Sequence, residues 1–121
     1  MSVWTHVCGC IRVDYARLSP KRTEVQKEKI KNILENTLPC DGEGSLEYEI
    51  IENKNKYSIA AFVIPIWGDL KDYDNEMEVR EWFEFVLRNL CVRSAVITIE
   101  TVYKKSTYSY TYKDVENLKK Q

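Results

Sequence analysis

Neither sign of charge dominates this 121-residue chain: 18 Lys and Arg stand against 19 Asp and Glu. That balance excludes a protein that holds nucleic acid by bulk charge, which needs a large basic excess. Long hydrophobic runs are missing too. The longest, residues 59–67, has nine residues and contains Pro65, whereas a membrane span needs roughly 20. Residues 1–6 show no basic stretch leading into an apolar one, so no export signal is expected. A cytoplasmic location with reduced thiols follows as the expectation. There is a single histidine, His6, and no Cys-x-x-Cys among Cys8, Cys10, Cys40 and Cys91. Cys8 and Cys10 lie two apart in a strand-like run, about 6.7 Å along the backbone. A tetrahedral zinc site, with sulfur bonds of about 2.3 Å, gathers its thiolates through a turn instead. His6 extends the row to His-x-Cys-x-Cys, but packed free thiols are the commoner outcome for such residues. No metal and no cofactor are expected.

What the chain does have is core material. With 44% apolar and 12% aromatic residues it can bury a sizeable interior, which excludes disorder, and its length suits one domain over residues 1–121. Residues 3–14 alternate, with Val7, Ile11 and Val13 on one side and Trp4, His6, Cys8, Cys10 and Arg12 on the other, which predicts a strand. Ser19-Pro20 supplies a cap and a first-turn proline. Val25, Ile30, Ile33, Leu34 and Leu38 then recur at helical spacing, predicting a helix over 20–37. Residues 45–52 alternate as a half-exposed strand, 53–56 read as a hairpin connection, and 57–67 is apolar on both faces, which predicts a central strand. Residues 68–74 read as a loop. Asn75 and Glu78 resemble a capping box opening a second helix, marked by Val79, Trp82, Phe83, Val86, Leu87 and Leu90. Residues 93–103 read as a long strand with Ala95, Ile97 and Ile99 inward. A turn at 104–106 leads into 107–112, where Tyr108, Tyr110 and Tyr112 are expected to share a face. The tail, 114–121, is expected to fray. The order is that of a ferredoxin-like α+β domain, βαββαβ with an additional C-terminal strand: an antiparallel sheet with two helices on one face.

Catalytic motifs are sparse. Gly42-Glu43-Gly44-Ser45 lacks the spacing of a phosphate loop, and the acids Asp69, Asp72, Asp74, Glu76 and Glu78 suit a helix N-terminus better than a calcium loop. The basic residues of the first helix, such as Lys27 and Lys31, alternate with Glu24, Glu28 and Glu35, as on a solvated face. Residues 57–62 lack the basic-Gly-aromatic pattern of RNA-recognition strands. The open sheet face is more telling. It should carry Trp4, His6 and Arg12 from the first strand, Val63 and Trp67 from the third, and Val96, Thr98 and Glu100 from the fourth. Aromatic and aliphatic groups on a face without helices mark an interaction surface. Tyr108 and Tyr110 are expected to join it.

The stretches 1–7 (Met-Ser-Val-Trp-Thr-His-Val) and 66–75 (Ile-Trp-Gly-Asp-Leu-Lys-Asp-Tyr-Asp-Asn) resemble a small protein type of phages and prophages of Gram-positive bacteria. The resemblance carries no assigned activity; it implies a viral source and action by binding. Two functions are therefore expected to compete. One is a non-enzymatic, homo-oligomeric counter-defence factor that sequesters a small nucleotide or blocks a host defence protein. Its aromatics Trp4, Trp67 and Tyr108 would stack a base, and Arg12 would meet a phosphate. The other is a small cofactor-independent enzyme resembling dimeric α/β-barrel oxygenases, with His6 as its working group.

Overall fold

A computed structural model of the protein describes residues 4–14, 20–39, 44–53, 60–71 and 76–121. Among these, the chain forms β1 (Trp4–Asp14), α1 (Pro20–Thr37), β2 (Leu46–Tyr48), β3 (Ile51–Glu52) and β4 (Ala60–Lys71). It continues through α2 (Glu76–Arg88), β5 (Val92–Glu100) and β6 (Lys105–Tyr110) to α3 (Tyr112–Lys119). The six described strands make one antiparallel sheet in the order β2-β4-β1-β5-β6, with β3 also on β4. Ser19, Cys40, residues 54–59 with Ile59, and Asn75 lie outside the described residues, as do the caps and the hairpin expected there.

Alternation fixes which face of the sheet is buried. Thr5, Val7, Ile11 and Val13 of β1, Phe62, Ile64, Ile66 and Leu70 of β4, and Ala95, Ile97 and Ile99 of β5 point into one core. Ile30 and Leu34 of α1, Val79, Phe83, Val86 and Leu87 of α2, and Val115 of α3 fill it from the other side. Trp82 is nearly enclosed, and its indole Nε1 donates to Thr37 Oγ1 at 3.0 Å, tying α2 to the end of α1. Phe83 packs between Trp82 and Tyr110, at ring separations of 6.3 and 5.9 Å. A register shift between Arg12 and Val13 sets Val92 opposite Val13, so both reach the core. Arg93 is thereby turned outward, 4.0 Å from Asp14.

Several expectations need correction. The strand expected over 45–52 is two short pieces, and the cause is Pro65. Glu49 N–H donates to the Pro65 carbonyl at 3.2 Å, but Pro65 has no N–H to return, so the ladder breaks where β2 would run into β3. Of the loop expected over 68–74, residues 68–71 belong to β4 instead, which pairs Leu70 with Thr5, both fully buried, and residues 72–74 lie outside the described residues. Gly68 permits this. Its φ is +147°, and a Cβ there would lie 2.5 Å from the Ser45 carbonyl oxygen. Val25, expected in the core, is exposed.

The C-terminal expectations change most. β5 stops at Glu100, and Thr101 closes a tight turn: its N–H reaches the Lys104 carbonyl at 2.8 Å, while its hydroxyl accepts from the N–H groups of Tyr103 and Lys104. β6 therefore starts at Lys105, and Tyr112 opens α3 instead of sharing a strand face with Tyr108 and Tyr110. Residues 114–121 are not frayed. Thr111 accepts from Asp114 N–H at 3.1 Å, and Asp114 accepts from Thr111 N–H at 2.8 Å, a reciprocal cap. Val115 is fully buried and Leu118 packs against the core.

If α3 is part of the cooperative unit, Thr111→Ala costs about 1 kcal/mol of unfolding free energy and Val115→Ala about 2 kcal/mol. Urea unfolding followed by circular dichroism measures both. Unchanged midpoints would mean that α3 contributes nothing to the folded core.

Candidate functional site: the open sheet face

Strand pairing lines up the outward residues in rows. The first row is Asp69, His6, Glu100 and Lys105; the second is Glu47, Trp67, Cys8, Thr98 and Thr107. The third is Pro65, Cys10, Val96 and Ser109, and the fourth is Ile51, Val63, Arg12 and Ser94. Trp4 precedes the first row, opposite Lys71. No described helix packs on this side: Trp4, Trp67, Val96 and Ile51 are 36%, 40%, 39% and 44% exposed. A solvated sheet face is usually polar. This one has an aliphatic centre with charges at its two ends.

Individual side chains are held in place. Trp67 Nε1 donates to Glu47 Oε2 at 3.0 Å across neighbouring strands, which fixes the indole on the surface. The hydroxyls of Thr98 and Thr107 meet at 3.0 Å. His6 Nδ1 is in direct contact with Asp69 Oδ1, and both side chains are more than half exposed. A carboxylate on Nδ1 sets the ring's orientation and leaves Nε2 toward solvent. Cys10 is partly covered, and burial pushes its thiol up against the opposing pull of Arg12, so it stays uncharged. Cys8, Cys10 and Cys91 carry free thiols. Among the described residues, no three His, Cys, Asp or Glu side chains converge to hold a metal ion.

Six of the eight residues singled out from sequence share this face: Trp4, His6, Arg12, Val63, Trp67 and Glu100. Tyr108 and Tyr110 do not. Pairing of Tyr110 with Ala95 and of Tyr108 with Ile97 sends both rings to the helix side. There Tyr110 is buried and donates to Glu84 Oε2 at 2.9 Å. Burial, reinforced by Glu84 and opposed by Arg80, pushes its phenol up to about 12. The Arg80 guanidinium lies 4.1 Å from the Tyr108 ring centre. Asp69 is the residue that sequence reading misses as a site residue. Gly68-Asp69 looks like turn chemistry, and only the spacing of Leu70 from Ile66 hints that the strand runs on.

At the edge of the face, the β5–β6 turn is pinned to α2. Lys104 Nζ lies 2.7 Å from Glu76 Oε1. Hydrogen bonds from Lys104 and then Ser106 hold the nearly enclosed Glu76 carboxyl below the usual carboxylate range. Glu76 in turn raises Lys104. The turn carries Glu100 and Lys105 at its two ends, so this pair helps to set the first row of the site.

No protein-family model and no curated protein matches the sequence. Two solved structures are similar. One is a phage SAM lyase in its apo state, with a TM-score of 0.43 and 11% sequence identity over 90% of each chain. The other is a phage SAM lyase in complex with S-methyl-5'-thioadenosine, with a TM-score of 0.42 and 10% identity over 90% of this chain and 89% of that one. Both are phage proteins. At these TM-scores the likeness assigns neither activity nor site, and the functional reading rests on geometry.

The Glu76–Lys104 pair predicts a pH window. The lowered Glu76 contributes stability above its unfolded value, lost as pH falls through the folded one. The raised Lys104 contributes below its unfolded value, lost as pH rises through the folded one. Lys104→Met should therefore lower the melting temperature near neutral pH, with the gap to wild type narrowing at both acid and alkaline extremes. A constant gap across pH would show that the pair is not the cause.

Proposed function

We propose that the protein works by binding rather than by turnover, with the open sheet face as its working surface. The observation that carries this reading is the exposed row structure itself. Trp67, Val96, Ile51 and Trp4 stand on a sheet whose described helices all lie on the opposite side, and apolar groups gathered on one face are the usual mark of an interaction surface. The architecture is read as ferredoxin-like, with β2 and β3 as one strand broken at Pro65 and with β6 and α3 as additions. The sequence resemblance to small phage proteins gives this binding its biological form: a counter-defence factor in the host cytoplasm that sequesters a nucleotide signal or blocks a host defence protein. The apolar half of the face around Ile51, Val63 and Trp67 suits self-association. Such a contact must offset an entropic cost of roughly 4–15 kcal/mol, so it needs close packing. Among the described residues no helix is long and apolar enough to cross a membrane.

A second reading is favoured by one contact. Asp69 on His6 Nδ1 is the arrangement that makes an imidazole a directed general base through Nε2, as the small-enzyme alternative requires.

Sedimentation equilibrium of wild type and Val63→Arg tests self-association. Wild type is expected to be dimeric or larger at high micromolar concentration, and the variant monomeric with an unchanged melting temperature. A monomeric wild type removes the oligomer from the proposal. Native mass spectra of wild type and His6→Ala, purified from the producing host, separate binder from enzyme. A binder retains the same small molecule in both. If His6→Ala instead accumulates a molecule that wild type converts, the enzyme reading replaces the first.

A further inference from the structure

The open face is not uniform. Where β1, β5 and β6 run side by side it dips into a cavity of about 330 Å³, lined by Cys10, Arg12, Ser94, Val96 and Ser109 among others. The dip follows from the sequence of the rows. Ser94 lies directly opposite Arg12, and Ser109 directly opposite Val96, so two small hydroxyl side chains stand where larger neighbours would fill the surface. Pockets for small molecules start at about 300 Å³, so this one accommodates a compact ligand and not a polymer.

Its chemistry is one-sided. Arg12 is exposed and has no ion-pair partner among the described residues, while Asp14, the nearest acid along β1, lies beside Arg93. The surface acids Glu47, Asp69 and Glu100 sit in the first two rows, and Glu49, across from Pro65, lies two strands away from β1 and Arg12. Cys10 adds no negative charge, being held as a thiol by burial. Among the described residues, the cavity therefore presents one guanidinium without an ion pair, two hydroxyls and an aliphatic floor. A guanidinium offers paired N–H donors that match a carboxylate or phosphate, and the serine hydroxyls can donate to the same anion.

We infer that this cavity is a binding site for a small molecule that carries a carboxylate or phosphate monoester on a compact apolar body, with Arg12 taking the anion, Ser94 and Ser109 donating to it, and Val96 supporting the body. The inference rests on reading the open face as a binding surface, and it names the ligand chemistry of one part of that face. It places the anion at the Arg12 end, several residues along the strands from the His6–Asp69 pair, so it does not depend on any proton transfer by His6.

Titration of the intact chain with phenyl phosphate, benzoate and phenol, followed by calorimetry and by amide shifts, tests it. Phenyl phosphate or benzoate should bind saturably with shifts centred on residues 10–12, 94–96 and 109, and phenol should bind at least about tenfold more weakly, as loss of a charge-assisted contact implies. The tighter of the two anions identifies the head group. Arg12→Gln should weaken the anion by about 10- to 100-fold at an unchanged melting temperature, and Lys31→Gln, an exposed position on α1 and so away from the open face, should leave it unchanged. Absence of saturable anion binding, equal binding of phenol, or equal loss in Lys31→Gln overturns the inference. Repeating the titration with Trp67→Ala, which removes apolar surface two rows from Arg12 and adds no charge, keeps the two proposals apart. Anion binding that survives in a monomeric variant supports the cavity independently of self-association. Anion binding absent from both proteins, with only sedimentation altered, refutes the cavity and leaves the self-association reading standing.

Discussion

The one-sided cover of the sheet is the constraint on which the rest of the structure depends. β1 lies between β4 and β5, so its backbone donors and acceptors are paired on both edges, and its side chains must alternate between two very different surroundings. Ile11 and Val13 enter a core closed by three helices; His6, Cys8 and Arg12 meet water. With the register locked by burial on one face, the order of residues on the other face is locked as well. The rows that bring Asp69 to His6 and Ser94 to Arg12 are therefore by-products of core packing, held with the rigidity of the sheet and not of a loop.

That coupling explains what could be read from the sequence. The inward set Val79, Trp82, Phe83, Val86, Leu87 and Leu90 and the outward set Trp4, His6, Arg12, Val63, Trp67 and Glu100 follow from period and parity alone, and the start of α1 at Pro20 from its first-turn proline. Other features depend on a partner strand or a distant surface. Asp69 reaches His6 only because Leu70 finds Thr5 across the ladder, which a glycine-led polar stretch conceals. The two tyrosines face the core because the turn after Glu100 is four residues long, which sets the parity of β6. α3 is short and mostly polar; its cap, Thr111 with Asp114, is legible in retrospect, but its stability comes from Val115 meeting a core built by other segments.

The polar contacts divide between the two sides of the sheet in an instructive way. On the helix side, Arg80, Glu84, Tyr108 and Tyr110 form a connected group: Arg80 lies 3.5 Å from Glu84, Glu84 accepts from the Tyr110 hydroxyl, and the guanidinium covers the Tyr108 ring. Such a group fixes the edge strand against α2. On the open side the pairs are separate: Trp67 with Glu47, His6 with Asp69, Thr98 with Thr107. Each orients a side chain without closing off the surface. The same residue types thus act as internal ties on one side and as displayed groups on the other.

Pro65 has a consequence beyond shortening a strand. Sheets with long, regular outer edges offer a continuous template onto which another chain can add, the usual start of fibrous aggregation. Here the outer edge beside β4 is made of a three-residue and a two-residue piece, interrupted where the missing imide hydrogen denies the ladder a rung. An incoming strand would find no uninterrupted row of donors and acceptors to follow. A chain that exposes tryptophan and aliphatic groups on an open face thereby keeps this edge of its sheet resistant to indiscriminate strand addition.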